Sequence, residues 1–153
     1  MYLRRKIDDY LLKWKNDEEH KPLIIKGARK VGKTESIKQF AKTYKNSVYI
    51  NFAEETNFHT ICDNGYSPKE IIKAITYIDN TKVFIPHETL IIFDEISDYP
   101  EILSSVKFFC VEKEYDAICS GLIWGDSYKR IQSNSVGYKT EYEMMSMDFE
   151  EFL

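Results

Sequence analysis

The chain has 153 residues, 43% of them hydrophobic, with a net charge of −4, enough for one substantial core and a size at which a single domain over 1–153 is expected. No stretch approaches the roughly 18 consecutive apolar residues of a membrane helix, and the charged start with Arg4, Arg5, Lys6, Asp8 and Asp9 has no secretory apolar segment, so a cytoplasmic protein without a membrane partner is expected. The three cysteines, Cys62, Cys110 and Cys119, fit no metal-binding or disulfide spacing and read as buried free thiols. His20, His59 and His87 lack zinc-site spacing and read as surface or loop residues.

Charge is unevenly spread: positions 1–48 hold 13 basic and 6 acidic residues, for +7, and the remainder carries −11. A basic first half suits phosphate or nucleic acid, although a charge run is more often a solvated face.

In chain order, Ile7, Tyr10, Leu11 and Trp14 recur at i, i+3, i+4, i+7 and predict an amphipathic first helix. Leu23-Ile24-Ile25 reads as a buried strand stopped by a glycine-containing loop. Ile37, Phe40, Ala41 and Tyr44 predict the next helix, and Ser47 to Phe52, rich in β-branched and aromatic residues, a second strand. Residues 53–66 have no clean period and read as an irregular connection. Ser67-Pro68-Lys69-Glu70 combines a capping serine, a proline at the first helical position and a glutamate three residues after the cap, so a helix starts there. Thr89 to Phe93 is the most hydrophobic strand candidate and ends in Asp94-Glu95. A helix near Pro100, with Ile102, Leu103, Val106, Phe109 and Cys110 inward, leads to a strand around Ala117 to Ser120. Strands alternating with helices imply a parallel sheet covered on both faces.

The loop Gly27-Ala28-Arg29-Lys30-Val31-Gly32-Lys33-Thr34 meets the pattern G-x-x-x-x-G-K-[ST] directly between a strand and a helix. Glycines let successive N–H groups turn inward onto phosphate oxygens while the following helix aims its positive end at the same anion. The binding residues are therefore Gly27 to Thr34 together with Glu35; Lys33 is expected on the β- and γ-phosphates and Thr34 on magnesium. Asp94, at the end of an apolar strand, is the expected metal-side acid, and Glu95 the group that orients water toward the γ-phosphate. A GTPase would have glycine where Ser97 stands, and no N-K-x-D motif occurs, so ATP is favoured by elimination.

Together, the loop, the strand Val48 to Phe52, the run Leu90 to Pro100 and the closing Met147-Asp148-Phe149-Glu150-Glu151-Phe152-Leu153 resemble the prokaryotic AAA-type ATPases whose P-loop domain precedes a C-terminal domain of unknown function. The resemblance implies a P-loop α/β three-layer sandwich with a five-stranded parallel sheet of order 5-1-4-3-2, its fifth strand around Lys139 to Met145. It also implies ATP and Mg²⁺ as ligands, hydrolysis of ATP, and a further C-terminal region or another subunit as partner. The chain departs from the pattern after the fourth strand, where Gly121 is followed by Leu122 rather than a small polar γ-phosphate sensor; Ser120 is a candidate replacement. Of Arg4, Arg5, Arg29 and Arg130, none is assignable as an arginine finger, and Trp124 reads as packing. Two alternatives stay open: an ATP-dependent switch with little hydrolysis, and a DNA-associated ATPase.

Overall fold

The computed structural model describes residues 6–27, 32–122 and 137–144. The elements run α1 (Lys6–Asn16), β1 (Leu23–Lys26), α2 (Lys33–Ala41), β2 (Asn46–Asn51), α3 (Pro68–Ile78), β3 (Thr89–Asp94), α4 (Val106–Glu112), β4 (Asp116–Gly121) and β5 (Thr140–Glu143), with 3₁₀ turns at Thr56–Phe58, Ile96–Asp98 and Pro100–Ser105. All strand pairs are parallel, and the order is β2-β3-β4-β1-β5, which read from the β5 edge is 5-1-4-3-2.

The alternation of side chains along a strand divides the core into two layers. Ile24, Val48, Ile50, Ile91, Phe93, Ala117 and Cys119 face one side, where Ile71 and Ile75 of α3 and Val106 and Phe109 of α4 cover them. Leu23, Ile25, Leu90, Ile92 and Ile118 face the other, beneath Ile7, Leu11 and Trp14 of α1 and Ile37 and Phe40 of α2. Burial on both faces explains why β1 and β3 read as continuous apolar runs; each fully buried Leu or Ile contributes roughly 1.5–3 kcal/mol.

Local chemistry sets the helix starts. Ser67 Oγ accepts from the Glu70 amide at 3.3 Å with Pro68 at the first helical position, as the sequence predicts for α3. By contrast α2 begins at Gly32, in the left-handed region at φ 86°, and among the described residues no side chain caps it.

Two expectations are corrected. The segment at Pro100 opens as a 3₁₀ turn, and the α-helix begins only at Val106. Cys110 in that helix is only partly buried, so Cys62 and Cys119 are the buried thiols. His20 is a loop residue as expected, but its Nε2 bonds Asp116 Oδ1 at 2.6 Å; Tyr44 donates to Asp116 Oδ2 at 2.6 Å, and the Trp14 ring lies 4.7 Å from the imidazole. Asp116 opens β4, so this cluster sits at the amino ends of the strands. The expectations for Arg4, Arg5, Trp124, Arg130 and the closing segment lie outside the described residues. Among the described residues no helix is long and apolar enough to cross a membrane.

Candidate nucleotide site

The carboxyl ends of β1, β3 and β4 converge because of their register. Lys26 pairs with Gly121, and Phe93 with Cys119. The Gly27 amide donates to Gly121 O at 3.2 Å, joining the start of the glycine loop to the end of β4. Gly121 has φ +154°, and a Cβ there would lie 3.0 Å from the Ile96 amide nitrogen, so glycine avoids both a strained backbone and a crowded contact.

Beyond the loop, α2 carries Lys33, 2% exposed, and the half-buried Thr34. An open groove of about 750 Å³ begins at this end of α2, with Gly32, Lys33, Thr34 and Glu95, and runs the length of the helix past Lys38 to Lys42. Glu35 is exposed. Ala28, Arg29, Lys30 and Val31 lie outside the described residues.

Asp94 is the centre of the polar network and is fully buried. By parity it faces the α2 side with Leu90 and Ile92, and there it meets Thr34, whose hydroxyl donates to Oδ2 at 2.6 Å. Tyr49 donates to the same oxygen. Ser120 Oγ donates to Oδ1 at 2.7 Å, and the Glu95 amide does so at 2.8 Å. Burial pushes this carboxyl up, but the bonds from Thr34, Tyr49, Ser120 and the Glu95 amide outweigh it and hold the group below the usual carboxylate range. Asp94 is therefore an anion inside the fold. The Tyr49 hydroxyl moves oppositely: burial and the bond to Asp94 raise it well above a normal phenol.

Glu95 stands at φ 54°, ψ 50°, a left-handed conformation that costs a non-glycine residue roughly 1–2 kcal/mol. The turn swings its side chain toward α2, where Oε1 lies 3.6 Å from Lys33 Nζ. Both groups are nearly buried, at 12% and 3% side-chain exposure, so the pair acts across a region of reduced dielectric. Thr34 and Asp94 offer hard oxygens suited to a magnesium ion that keeps water and phosphate in its shell. Among the described residues no cluster of three His, Cys, Asp or Glu exists that could cage a metal without such ligands.

The structure brings together Gly27, Gly32, Lys33, Thr34, Asp94 and Glu95 and adds Tyr49, which the sequence reading did not single out. Its signal was parity: Val48 and Ile50 bury on the α3 side, so Tyr49 between them must point toward α2 and Asp94.

A parallel 5-1-4-3-2 sheet with a glycine loop between β1 and α2 and an acid at the end of β3 defines a P-loop nucleoside-triphosphate-binding protein. A profile of the AAA domain matches residues 19–153, and the chain belongs to that family as an ATP-binding AAA-type domain. No curated protein matches the sequence. The fold is similar to that of the Walker-type ATPase of Pyrococcus abyssi, with a TM-score of 0.59 and 16% identity over 98% of this chain and 55% of that one. It is similar to domain III of the Thermotoga maritima replication initiation protein DnaA, with a TM-score of 0.56 and 13% identity over 98% and 67% of the two chains. The Aeropyrum pernix ORC1 protein, solved in complex with DNA, aligns with a TM-score of 0.55 and 13% identity over 92% of this chain and 43% of that one. Identities this low carry the fold alone, and the chain spans about half the length of the Pyrococcus protein.

Proposed function

We propose that this domain hydrolyses ATP with magnesium. The observation that carries the reading is the meeting of Thr34 and the buried Asp94 anion at 2.6 Å, beside the facing pair Lys33 and Glu95. In this reading the loop amides from Gly27 to Gly32 and the Lys33 ammonium hold the β- and γ-phosphates, with the amino end of α2 directed at the same charge. Thr34 and Asp94 hold the cation, which when bound neutralises charge on the phosphate oxygens. Glu95 orients a water for in-line attack on the γ-phosphorus and receives its proton; the bond to the bridging oxygen breaks and ADP leaves. Lys33, drawn by phosphate, releases Glu95 from the ion pair for that task.

Phosphate release and binding of a fluorescent ATP analogue, measured on the same preparations, test it. Glu95→Gln is expected to bind nucleotide and to lose turnover by about 10²-fold or more, whereas Lys33→Ala loses binding. Equal turnover by wild type and Glu95→Gln would remove the mechanism.

A second reading, an ATP-dependent switch with little turnover, is favoured by Leu122, which is 43% exposed and provides no polar group after Gly121. Retained analogue binding without phosphate release selects it. In either reading the process served by ATP lies with a further region or another subunit.

A further inference from the structure

An ionised carboxylate offers about four acceptor sites, two on each oxygen. In Asp94 the Ser120 hydroxyl and Glu95 amide take Oδ1, while the Thr34 and Tyr49 hydroxyls take Oδ2. The protein itself saturates the carboxylate. A cation seated at Thr34 brings bound waters that must donate to Asp94, and one of the four donors has to yield.

Three donors are poor candidates to move. The Glu95 amide is fixed by its backbone turn, and Ser120 is fully buried on a central strand. Thr34 can donate to Asp94 while its oxygen faces the metal. Tyr49 differs from these: it lies on β2, the edge strand of the sheet, and is half-buried, with Lys38 Nζ 4.4 Å from its ring centroid and Asn51 Nδ2 3.5 Å from its hydroxyl. Asn51 donates to the phenol oxygen and leaves the hydroxyl proton unclaimed, so on leaving Asp94 that proton turns to a water at this half-buried edge.

We propose that Tyr49 occupies the Asp94 acceptor site that a magnesium-bound water takes, so that its hydroxyl sets the cation concentration at which the nucleotide site fills. The inference rests on the magnesium-dependent reading above. Tyr49 is then a positioning residue that acts through Asp94 and opposes the cation until nucleotide and metal arrive together.

The test is a magnesium titration of fluorescent ATP analogue binding, with a parallel measurement in excess chelator. For Tyr49→Phe the half-saturating magnesium concentration is expected to fall roughly tenfold, the equivalent of one charge-assisted hydrogen bond near the low end of its range. Analogue affinity in chelator stays within about twofold of wild type on the same reasoning. Tyr49→Leu, which also lacks the hydroxyl, carries the same expectation if the phenylalanine form fails to fold. An unchanged or higher magnesium midpoint in the folded variant overturns the role of Tyr49 and leaves the nucleotide site standing. Binding by wild type that ignores magnesium overturns the underlying reading, and the inference falls with it.

Discussion

Ser120 and Asp94 lie 26 residues apart on neighbouring parallel strands, and the serine hydroxyl donates to the aspartate at 2.7 Å. The residue weighed from sequence as a replacement γ-phosphate sensor therefore holds the acid at the end of β3. Ser120→Ala leaves one oxygen of a buried anion with a single donor, at a cost of about 1–3 kcal/mol. Urea denaturation measures it; a midpoint equal to wild type would show that the bond contributes nothing.

Backbone strain at Glu95 makes a separate prediction. Glu95→Gly and Glu95→Ala both delete the carboxylate, but only glycine adopts φ 54° without penalty. The glycine form is expected to be more stable than the alanine form by about 1 kcal/mol. Alanine matching glycine in chemical denaturation contradicts a strained native backbone.

Gly121 combines φ +154°, which strains any side chain, with a tight approach to the Ile96 backbone nitrogen. Gly121→Ala is expected to lose roughly 1–3 kcal/mol of stability and to weaken nucleotide binding, because its carbonyl accepts from Gly27 at the loop start. Undiminished binding in a folded Gly121→Ala protein would separate the end of β4 from the loop.

At the opposite end of the sheet, the pair of His20 and Asp116 predicts a pH response. The bond to Asp116 raises the His20 imidazolium pKa above its ordinary value, with burial opposing. Asp116 is held low by His20 and Tyr44 against the effect of its own burial. Stability from His20 is thus fully present below its unfolded value of about 6.5 and is lost as pH rises through the higher folded value. That from Asp116 is present above about 3.9 and is lost as pH falls through its depressed folded value. The stability difference between wild type and His20→Asn should therefore be largest at about pH 5–6 and shrink toward pH 8.5. A difference constant across that range contradicts the pairing.

Local chemistry made much of this molecule legible in sequence. The glycine loop, the Ser67 cap and the apolar runs of β1 and β3 depend on residues close in sequence, so pattern alone places them. Two donors to Asp94, Tyr49 and Ser120, depend on register between β2, β3 and β4, which no local window contains. Tyr49 reads as one more strand aromatic, and the burial of Val48 and Ile50 together on the other face is the clue to its direction. His20 and Asp116 are 96 positions apart and meet only once β1 has been placed beside β4. At Pro100 a capable helix start was overridden, since the 3₁₀ turn buries Ile102 and Leu103 while carrying the chain from β3 to α4.

The contrast between α3, closed by its own serine, and α2, closed by no side chain among the described residues, reaches beyond the binding event. In the proposed reading, an anion at Gly32 would complete α2 much as Ser67 completes α3, and occupancy would then be linked to folding. At a free ligand concentration one hundred times its dissociation constant, that linkage contributes about 2.7 kcal/mol. The nucleotide level of the surroundings thus becomes a determinant of how long the folded domain endures, and depletion would register first as amide exchange in the opening turn of α2.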